Sequence, residues 1–167
     1  MSEPQGSYRH RWFEDIPVGE FHVFGSYTFT LDAIRAYGDK YAPLPQPGQH
    51  DARSTASSGS LQASGWHICG VWMQLMVTYM DRYAKGVHDS RLNGAGIGLN
   101  NLRWIKPVFA EDTLTYTYEI VGKPEKVLKN KWGIIRSRNE AFNQHGVLVF
   151  SFEIDILAER NPEARSE

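Results

Sequence analysis

The stretch that most constrains this chain is Gly59–Tyr83, GSLQASGWHICGVWMQLMVTYMDRY. It opens on small residues (Gly59, Ser60, Ala63, Ser64, Gly65) and becomes almost continuously apolar from Trp66 to Met80. Ile68, Val71, Trp72, Leu75, Met76, Tyr79 and Met80 recur at the i, i+3, i+4, i+7 spacing of a helix. Cys69, Met73 and Val77 fill the opposite side, so the pattern predicts a helix that is apolar nearly all round. Such a helix is buried in a core or embedded in a membrane. A membrane span needs about 20 apolar residues, whereas the run here is shorter and is interrupted by Gln74 and Thr78. The expectation is a buried helix with a small-residue entrance, wrapped by the other elements.

Composition narrows the function classes. A chain of 167 residues suffices for one domain with a real core. The expected organisation is a single domain over residues 1–167, with 1–9 as a loose arm. The formal charge of −1 supplies no basic field to gather nucleic acid or an anionic membrane. Cys69 is the only cysteine, which excludes a disulfide framework and a thiolate metal site. His10, His22, His50, His67, His88 and His145 are scattered without metal-ligand spacing. No glycine-rich phosphate loop precedes a helix. The N-terminal MSEPQGSYRHRWFEDI is charged and has no apolar run, so no secretory signal is read and a cytoplasmic location is expected.

The flanking elements follow from local pattern. Trp12, Phe13, Ile16 and Val18 anchor the chain before a turn at Pro17 and Gly19. Phe21–Thr30 is rich in aromatic and β-branched residues and predicts a strand. Thr30 is the expected N-cap of a short helix whose apolar face carries Ile34, Tyr37 and Tyr41. Pro43, Pro45 and Pro47 forbid its continuation, and a loop runs on to Ser60. After a polar connection over 84–98, strands are predicted at Leu99–Pro107, Asp112–Val121, Lys131–Asn139 and Leu148–Leu157. Asn143-Gln144-His145-Gly146 forms a hairpin turn between the last two. Sequential strands joined by hairpins imply an antiparallel sheet, and with one buried helix the class is α+β.

Three stretches carry a resemblance to a known family. They are Ile34-x-x-Tyr37 before Tyr41-Ala42-Pro43-Leu44-Pro45, Gly59-Ser60-Leu61-Gln62-Ala63-Ser64-Gly65-Trp66-His67, and Leu102-Arg103-Trp104-Ile105-Lys106-Pro107-Val108 before Glu111-Asp112-Thr113-Leu114. Together, over roughly residues 11–158, they resemble the MaoC-like dehydratases, relatives of the (R)-specific enoyl-CoA hydratases. The resemblance implies a hotdog fold, with a long buried central helix wrapped by a curved antiparallel sheet of about five strands. It implies hydration or dehydration of an enoyl thioester in fatty acid metabolism. Coenzyme A then enters as part of the substrate, and no separate cofactor is expected. It also implies a homodimer or larger assembly, with two sheets joined edge to edge and the site between subunits.

That chemistry needs a carboxylate and an imidazole to handle water and protons. It also needs N–H donors at a helix N-terminus for the thioester oxygen. Ser64, Gly65, Trp66 and His67 occupy the helix entrance and are the expected substrate-binding residues. The alternative is that the small residues only permit close packing, that Ser64 is an N-cap and that His67 is a core residue. The family's acid–base pair is Asp-x-x-x-x-His in the loop after the short helix. Aligned without gaps, Ala42 stands where the Asp belongs and Pro47 where the His belongs, and neither exchanges a proton. A gapped alignment offers Asp39 with His50 or Asp51 instead, which requires the loop to fold back. Two functions remain open: an enoyl-thioester hydratase or dehydratase using Asp39 and His50 or Asp51, and a silent hotdog protein that binds an acyl thioester or serves as a structural subunit beside an active partner. A thioesterase is a weaker third. Lys123, Lys126, Lys129, Lys131, Arg136 and Arg138 are either a contact for coenzyme A phosphates or a charged hairpin that discourages edge aggregation.

Overall fold

The computed structural model describes residues 9–41, 61–84, 87–89, 91, 94–124 and 131–166. Its main layer is a five-stranded antiparallel sheet of β2 (Phe21–Thr28), β4 (Gly96–Trp104), β5 (Thr113–Gly122), β6 (Trp132–Phe142) and β7 (Leu148–Glu159). The spatial order is β2-β5-β6-β7-β4, so β4 crosses over to the far edge beside β7. Alternation of apolar and polar residues sets the strand faces. In β5, Leu114, Tyr116, Tyr118 and Ile120 all point inward and are at most 3% exposed. The β6–β7 turn has Gly146 at φ +72° and Asn143 Oδ1 accepting from the N–H groups of His145 and Val147, the side-chain capping expected of Asn in a tight turn.

Among the described residues, two α-helices complete the layer. α1 (Leu31–Tyr41) starts where Thr30 Oγ1 accepts the N–H of Ala33 at 3.2 Å, and it buries Ile34. α2 (Gly65–Ala84) is the long apolar helix. Ile68, Val71 and Trp72 enter a core with Phe29, Leu114 and Phe150. Two buried hydrogen bonds fix its height on the sheet. The Tyr116 hydroxyl donates to the Ile68 carbonyl at 3.2 Å, and the Trp72 indole N–H donates to Asn139 Oδ1 at 3.1 Å.

Among the described residues, the sheet covers one face of α2 and leaves the other open. Trp66 (62% exposed), Met73 (49%) and Val77 (56%) stay open, where the sequence pattern predicts a helix wrapped all round. The reason is geometric: a single curved sheet reaches about half of a helix, and the apolar character of the other half was read as burial within the same chain.

A second, smaller sheet was not legible in the sequence. β1 (Arg9–Arg11) pairs in parallel with β3 (Val87–Asp89), each three residues long. Runs that short carry no periodicity. The region is organised by a buried charge cluster described below. Among the described residues, no helix is long and apolar enough to cross a membrane.

Candidate functional site

The entrance of α2 is built by its cap. Ser64 Oγ accepts the N–H of Trp66 at 3.3 Å, and the Ser64 carbonyl accepts the N–H of Ile68 at 3.2 Å. Ser64 is therefore the N-cap of α2. The bridge Gln62–Phe109 and the Ala63 N–H on the Val108 carbonyl tie this entrance to the segment that follows β4.

Gly65 is required here for close approach. A Cβ at this position would lie 2.5 Å from Nε1 and Cε2 of Trp104. The indole of Trp104 thus fills the space that a side chain at position 65 would take. Burial pushes the Cys69 thiol up to about 11, against a lowering contribution from the Trp104 indole, and keeps it protonated at neutral pH. Trp66 stands edge-on to Trp104 with ring centroids 5.5 Å apart. Between these indoles and the segment after β4 lies a cleft of about 300 Å³, lined among others by Gln62, Gly65, Lys106 and Pro107.

His67 turns the other way. Its ring stacks on Tyr37 of α1 at 4.5 Å and 6°, and meets Phe29 edge-on at 5.0 Å. It is 8% exposed, and its Nδ1 has no hydrogen-bond partner among the described residues. Burial lowers its pKa, so the ring is neutral. Asp39 is exposed in the last turn of α1. His50, Asp51, Ala42 and Pro47 lie outside the described residues. Ser64, Gly65, Trp66 and His67 are thus brought together at one helix end, but Trp66 and His67 face different surroundings.

A second polar region has no counterpart in the sequence reading. Arg91 is buried and makes a two-pronged bond to Asp89, at 2.8 Å from Nε and 2.6 Å from Nη2. It also reaches Glu20 at 3.1 Å and the hydroxyl of Tyr118. Arg11 pairs with Glu20 and lies 3.6 Å from Asp89. His22 bonds Glu20 at 2.9 Å and the Tyr79 hydroxyl at 2.5 Å. Burial alone raises the pKa of Glu20, but bonds from His22 and Arg11 and the charges of Arg91 and Arg11 outweigh it and hold the carboxyl far below the usual range. The cluster joins β1, β2, β3, β5 and α2, and its signal is spread over five separate segments.

Of the basic residues after β5, those described are engaged. Arg136 pairs with Asp155 at 2.7 Å, Arg138 with Glu119 at 2.5 Å and Lys131 with Glu159 at 3.6 Å. Lys123 donates to the Phe13 carbonyl at 2.6 Å. Lys126 and Lys129 lie outside the described residues. Among the described residues, no group of three or more His, Cys, Asp or Glu is placed to hold a metal.

No protein-family model matches the chain. It is similar to a mesaconyl-CoA hydratase of Cereibacter sphaeroides, 27% identical over 85% of this chain and 39% of that protein. It therefore spans well under half of that relative's length. It is also similar to the uncharacterized protein YdeM of Bacillus subtilis, 23% identical over 88% of this chain and 98% of that one. Among solved structures, a MaoC-like dehydratase from Rhodospirillum rubrum superposes with a TM-score of 0.70, with 22% identity over 91% of this chain and 99% of that chain. The R-hydratase PhaJ1 from Pseudomonas aeruginosa superposes at 0.59, with 20% identity over 90% of this chain and 86% of that one. A Mycobacterium tuberculosis protein described as a double hotdog fold superposes at 0.64, with 18% identity over 92% of this chain and 46% of that one.

The fold is the hotdog fold. At these identities the structural likeness establishes the architecture, and the chain is similar to MaoC-like dehydratases and R-hydratases at that level. In this hotdog chain β4 is an edge strand with Ile97 (47%), Leu99 (58%) and Trp104 (43%) exposed, and the open face of α2 carries Met73 and Val77.

Proposed function

We propose that this chain is a MaoC-like enoyl-thioester hydratase or dehydratase that takes an acyl-CoA-type substrate at the α2 entrance. One observation carries the reading: a capped helix N-terminus opens beside an apolar cleft of about 300 Å³ walled by Trp66 and Trp104. The first-turn N–H groups of a helix have no carbonyl four residues back, and the helix dipole adds partial positive charge there. A thioester oxygen placed at that end gains hydrogen bonds as it takes on enolate character. The similarity to a mesaconyl-CoA hydratase and to an R-hydratase supports the same reaction class. In this reading Asp39 and His50 supply the proton transfers, and coenzyme A is part of the substrate.

A second reading is favoured by Asp39 itself, which is exposed, and by Ala42 at the position the family resemblance gives to the acid. In that reading the chain binds the thioester without turning it over. Loss of absorbance of the conjugated thioester band of crotonyl-CoA decides between the two. Hydration that disappears in Asp39→Ala or His50→Ala supports the enzyme. Saturable binding of butyryl-CoA without hydration supports the silent binder.

The reading includes a homodimer. An unpaired edge strand bearing exposed Leu99, next to an open apolar helix face, is covered when a second copy pairs along β4. Leu99→Lys is expected to shift the light-scattering mass from dimer to monomer. An unchanged mass removes β4 as the interface.

A further inference from the structure

The joint between α1 and α2 is built of aromatic rings around an imidazole, the side chain that titrates nearest to neutral pH. His67 is 8% exposed. Tyr37 of α1 lies on its ring face, with centroids 4.5 Å apart and 6° between the planes. Tyr27 of β2 and Phe29 just beyond that strand stand across it, at 69° and 74°. The titratable groups on these neighbours are the phenols of Tyr37 and Tyr27, with Tyr41 and Cys69 next to Tyr37. None of them is a carboxylate, and burial lowers the pKa of the ring.

A neutral imidazole suits this slot and an imidazolium does not. With its proton on Nε2, the ring leaves a bare lone pair at Nδ1, which has no hydrogen-bond partner among the described residues. A second proton turns Nδ1 into the buried N–H of a cation with no acceptor, a far more costly state. The helix on the other side of the joint is weakly tied. α1 has 11 residues, of which Ile34 is buried, and a helix that short is marginal in water on its own. Its order therefore depends on docking, and the Tyr37–His67 stack is part of that docking.

We propose that this joint is a proton-operated latch: when His67 takes up a proton, its ring leaves the aromatic slot and α1 is released from α2. The latch does not depend on the thioester reading, although the helix it releases carries Asp39. Linkage gives the sign. Docking lowers the proton affinity of His67, so docking has its full strength above the ordinary histidine value of 6.5 and weakens as the pH falls below it. One pH unit below that value, the released state gains up to about tenfold in weight.

The test is amide hydrogen exchange on the full chain at about pH 7.5 and pH 5.5, corrected for the intrinsic exchange rate at each pH. Wild type is compared with His67→Phe, which keeps a ring on Tyr37 and cannot take a proton. The expected result is a roughly three- to tenfold fall in protection of the α1 amides in wild type at the lower pH. The β5, β6 and β7 amides keep theirs, and α1 in His67→Phe stays level. Level protection of α1 in wild type overturns the latch. An equal fall in His67→Phe overturns it too, because another group is then responsible. So does a fall shared by β5 to β7, because protonation then loosens the whole fold. Imidazole NMR of wild type gives a second reading that needs no variant. The His67 ring, assigned through its contacts with Tyr37, is expected to titrate below 6.5, and a midpoint at or above that value overturns the proposal.

Discussion

Two polar regions sit at opposite extremes of hydrogen-bond satisfaction in this molecule. In the cluster of Arg11, Glu20, His22, Asp89 and Arg91, charge is matched by charge and both carboxylates hold more than one partner. At the start of α2, His67 Nδ1 is buried and has no hydrogen-bond partner among the described residues. A saturated network has nothing left to offer a ligand, and its removal damages the fold. An incomplete one leaves donors and acceptors for something that arrives later. Polarity alone does not mark a site.

The comparison is broken most sharply at Asp89. Asp89→Ala leaves Arg91 buried with half its partners gone, and the expected loss is about 3–5 kcal/mol in urea unfolding. The paired change Asp89→Leu with Arg91→Met is expected to recover most of it, since replacing both ions with apolar groups removes the unpaired charge. A loss below 1 kcal/mol in Asp89→Ala would show that the cluster is not a stabilising unit.

Acid sharpens the same side. Glu20 has its folded pKa depressed below the ordinary value of 4.5, so it adds stability above that value. That contribution is lost as the pH falls from about 4.5 towards the folded value. Urea midpoints between about pH 5 and pH 3 are expected to fall more steeply in wild type than in Glu20→Gln. Parallel slopes would contradict the assignment.

On the other side, Gly65→Ala places a Cβ where the Trp104 indole lies. Overpacking of about 1–3 kcal/mol is expected, with a shift in tryptophan fluorescence, and Trp104→Leu in the same chain is expected to relieve it. The smallest effect separates the two regions most cleanly. His67→Phe removes the orphan nitrogen while keeping the stack on Tyr37, so stability is expected to stay level or rise by up to about 1 kcal/mol. Weaker acyl-CoA binding in the same variant would place His67 at the ligand. A large loss of stability would show that the imidazole is satisfied in solution and that the entrance resembles the charge cluster.

How much of this was legible depended on the range of the interactions. The Thr30 cap, the β5 to β7 strands and the Asn143–Gly146 turn are local, and their residues sit within a few positions of one another. The cap at Ser64 was readable for the same reason. The apolar back of α2 was readable as apolar, but a sequence does not say whether an apolar face meets its own sheet or remains open. The charge cluster was invisible. The pair Arg11 and Glu20 is far along the chain from the pair Asp89 and Arg91, with Arg91 71 positions after Glu20, and each looks like an ordinary surface charge in its own context.

The sequence by itself determined the element order, the α+β class and the helix entrance that the resemblance marks as the site, because each rests on periodicity or on contiguous motifs. Only the tertiary structure decided what lies against that entrance. Trp104 and Lys106 reach it from the segment at the end of β4, some forty positions further along the chain. Strand order puts β4 at the sheet edge beside β7, and that placement turns Gly65 into a seat for an indole and brings Lys106 to the rim of the cleft.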